Sequence, residues 1–343
     1  MVVKFSKNVS ISSIDDIFWQ TENESKKEDS LIFDMKNVTF FDINALISYS
    51  CFLKTLQNKD VKFKLALPND KKVRDFLKGW KFYETLIENK DFPIKEIEGL
   101  LYEKKDVKLF REKQKNYLFD DINFDSPYSL LLSGHMLEIK NFIDSFEKNK
   151  ISRLKIDEFI QEMGRPYRNT FLDKMLDAKE GNSGEFVRIL LQESLLSMFD
   201  HPDATIALAA MAKEPVSKYQ DNFILCVADN GENIPNTLRN FYSENPLGKK
   251  TPKPESNDSV WIKYATEMPE DFTIPNRPCA GLPYLKKMAV DGFNGGLSIG
   301  SGKYIVTFSE SKNPHIETGI FDGNINSNLI SLTLPMSKIE KYK

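Results

Sequence analysis

Between Leu31 and Trp80 the spacing of apolar residues switches repeatedly between that of a strand and that of a helix, which restricts this stretch to alternating elements. Leu31-Ile32-Phe33-Asp34-Met35 is a short, mostly apolar run stopped by Lys36-Asn37, the pattern of a buried strand. From Ile43 to Leu56 the residues Ala45, Leu46, Tyr49, Phe52, Leu53 and Leu56 recur at spacings of three and four, so a helix follows. Asn58-Lys59-Asp60 closes it with turn chemistry. Val61, Phe63, Leu65 and Leu67 then alternate with Lys62, Lys64 and Ala66, and Asn69 stands where it can cap a second helix carrying Val73, Phe76, Leu77 and Trp80 on one stripe. Strand, helix, strand, helix implies a mainly parallel sheet with right-handed crossovers.

This order and spacing resemble the STAS domain, the anti-sigma-antagonist type of module. LIFDMKNVTFFDINAL is similar to that family's strand and its Asp-Ser-Ser-Gly helix start, with Asp42-Ile43-Asn44-Ala45 at the start here. In regulatory members a Ser at this helix N-terminus accepts phosphate from a partner kinase. Neither Ile43 nor Asn44 has a hydroxyl, so the resemblance does not carry the phosphoswitch. A plain α/β packing domain accounts for the same pattern equally well.

At 343 residues, against roughly 150 per domain, the chain is long enough for two domains with a helical segment between them. Hydrophobic residues at 41% and charged residues at 28% exclude a fibrous or wholly disordered chain. A formal charge of −3 provides no global attraction to nucleic acid or to an anionic membrane, so any phosphate site has to be local. The three cysteines, Cys51, Cys226 and Cys279, are widely spaced and form no CxxC pair, which points to neither a disulfide framework nor a zinc site and fits a reducing compartment. Lys4 and Lys7 interrupt the first ten residues, and no apolar run approaches the ~18 residues of a membrane span. The expectation is a cytoplasmic protein.

The charged stretch Glu103 to Lys115 and the Asp- and Asn-rich stretch Asp120 to Ser126 mark a boundary. Two connector helices are expected after it. One carries His135, Met136, Ile139, Phe142, Ile143 and Phe146, and the other Ile156, Phe159, Ile160 and Met163, ending before Gly164-Arg165-Pro166. His135 is alone on its helix and reads as a packing or surface residue.

Three motifs follow in the last part of the chain. Asn182-Ser183-Gly184-Glu185 offers a helix start and Pro202 an end, so a helix is expected from about Gly184 to Asp200. On it Glu193, Ser197 and His201 fall four residues apart on one polar stripe, facing either solvent or a polar cavity. Next, the apolar strand Phe223 to Ala228 delivers Asp229-Asn230-Gly231 at its carboxyl end, a place where ligand contacts are common. Last, Ala280-Gly281-Leu282-Pro283 opens a helix, and free N–H groups at such a start form a local anion site. Gly295-Gly296 then leads into a hairpin of Leu297 to Ile299 with Tyr304 to Phe308.

The ordered triple resembles the GHKL ATPase superfamily over about half the chain. The family's N box falls on Glu193 through His201, its G1 box on Asp229 through Pro235, and its G2 box on Ala280 through Leu282. The strands expected at Ala204 to Met211 and Phe223 to Ala228 fit its α/β sandwich. The resemblance implies that Asp229 accepts a hydrogen bond from the adenine amino group, that Gly231 and Ile234 let the purine approach and floor it, and that Gly281 and Leu282 bring backbone amides to the phosphates. It further implies that Asn236 to Cys279, one long polar loop rich in Lys, Pro, Asn and Glu, is the mobile ATP lid, with Ser197 and His201 on the nucleotide side of the first helix. In hydrolysing members the residue at Glu193 orients or deprotonates water. Three departures stand out. Ser197 occupies the place of the magnesium-binding Asn and is a weaker ligand for Mg2+. Asn233 replaces a glycine of G1, and Cys279 or Ala280 a glycine of G2.

The expected fold class is therefore α/β and α+β: a STAS-like α/β domain over 1–100, a helical connector over 101–166 and a histidine-kinase-like ATP-binding domain over 167–343. The expected function is an ATP- or ADP-binding regulatory protein that modulates contacts with a protein partner, with a homo-oligomer compatible with the sequence. An active ATPase, an anti-sigma-type serine protein kinase and a scaffold that binds no nucleotide stand as alternatives.

Overall fold

The computed structural model describes residues 2–25, 31–79, 82–87, 97–98, 204, 206–217, 220–244, 251–268, 277–310, 314–318, 328–335 and 337. The expected connector helices and the helix bearing Glu193, Ser197 and His201 lie outside the described residues.

The N-terminal part contains β1 (Val2–Lys4), β2 (Asn8–Val9), α1 (Ile11–Ser25), β3 (Leu31–Asp34), β4 (Phe40–Phe41), α2 (Ile43–Asn58), β5 (Phe63–Ala66), α3 (Lys71–Gly79), α4 (Phe82–Ile87) and β6 (Ile97–Glu98). Its main sheet is parallel, in the order β1-β3-β5-β6, as the alternating pattern requires. Two elements go beyond the sequence expectation. The lysine-interrupted start forms β1 at the sheet edge, and α1 precedes β3. At α3 the carboxylate of Asp70, rather than Asn69, accepts the first amides, from Lys72 N–H at 2.7 Å and Val73 N–H at 3.4 Å.

The second part is a hairpin-built sheet: β7 (Ala207–Ser217), β8 (Gln220–Asp229), β9 (Gly296–Ser301), β10 (Tyr304–Phe308), β11 (His315–Thr318) and β12 (Asn328–Pro335), in the order β11-β10-β9-β12-β8-β7 and antiparallel throughout. Helices α5 (Ile234–Glu244), α6 (Asp258–Ala265) and α7 (Leu282–Lys286) lie between its strands in sequence, and α7 runs on as a π-helical stretch over Lys287–Gly292. Where that stretch gives way to β9, a methyl at Gly295 would collide with the Thr333 carbonyl, so the backbone approach at the Gly-Gly pair needs the missing side chain.

Helix α2 joins the two sheets. Asp42 caps it, accepting from Ala45 N–H at 2.8 Å, and its other oxygen accepts from Ile11 N–H at 3.0 Å, which fixes the start of α1 against the start of α2. One face carries Tyr49 and Phe52, which meet Phe33 of β3 at ring-centroid distances of 5.8 and 6.2 Å. A second stripe, Asn44, Ser48, Cys51 and Thr55, turns the other way, and α2 packs against β7, β8 and β12. Leu208, Ile224, Cys226, Ala228 and Leu329 of that sheet belong to the same apolar core as Leu31, Phe33 and Leu65 of the parallel one. The molecule is thus an α+β protein whose parallel and antiparallel sheets share α2. Among the described residues no helix is long and apolar enough to cross a membrane.

Candidate functional site

Asp229 ends β8, and its side chain, like those of Val227, Leu225 and Phe223, is on the sheet face away from α2. It is 1% exposed. A carboxylate this deep requires donors. Gly231 N–H donates to Oδ1 at 2.9 Å, closing the tight turn, and Asn328 Nδ2 donates to the same oxygen at 2.9 Å. Asn328 is directly opposite Asp229 in the β8–β12 register, so the pairing of the two strands delivers the amide.

The network extends across the sheet. Asn328 Nδ2 also donates to the Glu232 carbonyl at 3.0 Å, and Asn328 Oδ1 accepts from Ser301 Oγ at 2.6 Å. Ser301 Oγ in turn accepts from Ile234 N–H at 2.9 Å. Ile234, Ser301 and Asn328 are each fully buried. Asn230 ties the turn to the start of β7, its N–H donating to the Ile206 carbonyl at 3.1 Å and its Oδ1 accepting from Ile206 N–H at 2.8 Å. Asn233, in the place of a G1 glycine, acts locally, since its Oδ1 accepts from Asn236 N–H at 2.9 Å and caps α5. The Asp229-to-Pro235 segment is therefore a rigid corner in which Asp229, Gly231 and Ile234 are brought together.

Gly281 and Leu282 are buried at the start of α7, which packs on β9. The Leu282 N–H already donates to the Cys279 carbonyl at 3.1 Å, and Pro283 has no N–H, so this helix start offers fewer open donors than the sequence suggested. Cys279 takes the left-handed backbone with φ at +59°, a conformation that favours glycine and that a cysteine holds at a cost of order 1–3 kcal/mol. The requirement for a glycine-like backbone before Gly281 is thus present in the fold although the glycine is not.

The stretch from Asn236 to Cys279, expected as one polar loop, contains most of α5 and all of α6. Arg239 secures them. Its guanidinium donates to the carbonyls of Pro254 at 3.1 Å and Ser256 at 2.8 Å and pairs with Asp258 at 2.7 Å. The other Asp258 oxygen accepts from Lys303 N–H at 3.0 Å, at the β9–β10 turn where Gly302 has φ +60°. Arg277 closes the far end of α6, donating to the carbonyls of Tyr264 at 2.9 Å and Glu267 at 3.2 Å, as a cation at a helix C-terminus should. The signal for α6 is local and legible: Asn257-Asp258-Ser259 ahead of Val260-Trp261-Ile262, with Asn257 as the observed cap.

The three cysteines are free and buried. Burial pushes the Cys51 and Cys226 thiols well above the ordinary range, and the charges of Asp229 and Asp42 respectively add to it. Among the described residues no group of three His, Cys, Asp or Glu side chains could hold a metal ion, and Glu193, Ser197 and His201 lie outside them. No family model matches the chain, and no curated protein matches it in sequence.

Proposed function

We propose that the antiparallel-sheet part binds an adenine nucleotide at Asp229 and that the protein is a cytoplasmic regulator whose contacts with a protein partner respond to ATP or ADP. The observation that carries this is a buried carboxylate at the end of β8, set by Gly231 N–H and Asn328 in a rigid corner. An acceptor held at fixed depth distinguishes an amino group from a carbonyl, which is the difference between adenine and guanine at that edge of the ring. Two further features support the reading: an antiparallel sheet with α5, α6 and α7 between its strands in the order of a GHKL-type sandwich, and the left-handed backbone at Cys279 ahead of Gly281. The parallel sheet with its Asp42-capped α2 supports a STAS-like reading of the N-terminal part.

The test is thermal-shift titration of the full chain with ATP, ADP and GTP, each with magnesium or EDTA. Adenine-selective stabilisation is expected, and Asp229→Asn should abolish it while leaving the ligand-free melting temperature close to wild type, since the amide keeps an oxygen for Gly231 and Asn328. No shift with any nucleotide overturns the proposal. A scaffold without nucleotide is the second reading, favoured by one observation: both donors on Asp229 Oδ1 come from the protein itself, which is what a purely structural turn carboxylate would show. Turnover is a separate claim. Phosphate release that disappears in Glu193→Ala would make the protein an ATPase or a serine kinase, and saturable binding without release would leave it a binder.

A further inference from the structure

A hollow lies at the end of the antiparallel sheet away from Asp229. It has a volume of about 670 Å³, within the range of small-molecule sites, and is bounded by the end of α6, the π-helical part following α7, and the end of β10. Asp229 belongs to the opposite edge. Through Asn328 and Ser301 it aligns with Tyr304, the first residue of β10, whereas this hollow is floored by Phe308, four residues or roughly 13 Å further along the strand.

Its chemistry is mixed in a definite way. Lys263 and Lys286 face it, as do Glu267, Asp291 and Glu310, yet none of these five side chains is ion-paired among the described residues. The Lys286 ammonium instead rests 4.7 Å from the centre of the Phe308 ring. Beneath the charges is an apolar floor: Phe308 is 5% and Val290 7% exposed, and Pro314 adds to its edge. The two ammonium groups keep unused donors, and the rim carboxylates keep unused acceptors. Three carboxylates in the same hollow repel a polyanion such as a nucleotide phosphate chain, and two lysines repel a simple cation. A ligand carrying one charge of each sign satisfies both sets.

We propose that this hollow binds a small zwitterion with an apolar side chain, of the size of an amino acid or a short peptide. The ligand's carboxylate takes the Lys263 and Lys286 ammonium groups, its ammonium takes the Glu267, Asp291 and Glu310 rim, and its side chain lies on Val290, Phe308 and Pro314. This goes beyond the nucleotide reading and does not depend on it.

The experiment is calorimetric titration of the full chain with phenylalanine, N-acetylphenylalanine and phenylalaninamide as probes. Phenylalanine should bind saturably, and each of the capped probes, which lacks one of the two charges, about tenfold more weakly. Lys286→Gln keeps the side-chain bulk over Phe308 and should weaken phenylalanine binding about tenfold as well. Asp229→Asn should leave it unchanged, which separates this site from the nucleotide corner. Absence of saturable phenylalanine binding, equal binding of the capped probes, or wild-type affinity in Lys286→Gln overturns the proposal.

Discussion

The face of α2 turned to the parallel sheet carries rings, whereas the Cys51 side, turned to the antiparallel sheet, carries none and sets small side chains beside Ile43 and Ile47. Tyr49 meets Phe5 at 5.1 Å, Phe33 at 5.8 Å and Phe82 at 5.9 Å, and Phe52 stacks on Phe18 at 4.4 Å. On the other side Ser48, Cys51 and Thr55 lie beside Ile47, and α2 packs against β7 and β8, whose core face carries Leu208 and Ile224 as well as Cys226 and Ala228. The first interface is held by large buried rings, and the second by small and aliphatic side chains. Hence the first should be sensitive to deletion and the second to insertion. Thr55 Oγ1 donates back to the Cys51 carbonyl at 2.9 Å and is satisfied within the helix, while the Tyr49 hydroxyl and Ser48 Oγ are buried with no partner among the described residues.

The largest effect expected from this contrast is at Tyr49. Tyr49→Ala should cost about 3–5 kcal/mol in urea unfolding, by removing a buried ring from the centre of the aromatic cluster. Because α2 is shared, hydrogen exchange should quicken at β8 amides as well as at β3 amides, and unchanged protection at β8 would break the idea of one cooperative core. Cys51→Leu should cost about 1–3 kcal/mol by overpacking the small-residue face, with Cys51→Ala the milder change; the reverse order would show that the helix has room to spare there. Asp42→Ala removes the α2 cap and the Ile11 contact together, for about 1–2 kcal/mol in the same assay.

Smaller effects sharpen the comparison. Tyr49→Phe removes a buried hydroxyl that has no partner among the described residues, so stability should stay within about 1 kcal/mol of wild type, on the stabilising side. The pH dependence of the helical layer gives the smallest signal at neutral pH. Burial raises the Tyr242 hydroxyl to about 12. A raised acid keeps its proton in the fold after the unfolded chain has lost it. The associated stability is therefore intact below the ordinary tyrosine value of about 10 and is lost as pH rises from there through 12. Tyr242→Phe should flatten the fall in melting temperature between those values, and an unchanged slope would assign it to other groups.

Much of the scaffold is legible in the sequence because its signals are local. β3, α2 and β5 follow from periodicity, the turn after Asp229 from Asn230-Gly231, and the β9–β10 hairpin from the glycine pair and the strands after it. β1 is not legible, since three residues with a terminal lysine carry no period and become a strand only when β3 supplies the pairing. Asn69 is one residue away from the true cap because Asn and Asp are equally good in that role, and backbone geometry chooses Asp70. Reading Asn236 to Cys279 as one polar loop gives composition more weight than the Asn257 cap and the Trp261-Ile262 pair that follows it.

At the candidate corner, the sequence alone determined Asp229, its Gly231 turn and the strand that buries them, because each depends on neighbours within a few residues. Tertiary structure decided that the amide completing the corner comes from Asn328, 99 residues away, and that Ser301 passes the hydrogen bond on to Ile234. It also decided that α2 hides two faces rather than one. Both outcomes depend on strand register and sheet stacking, where residues far apart in the chain meet, and no period within a single segment records such a meeting.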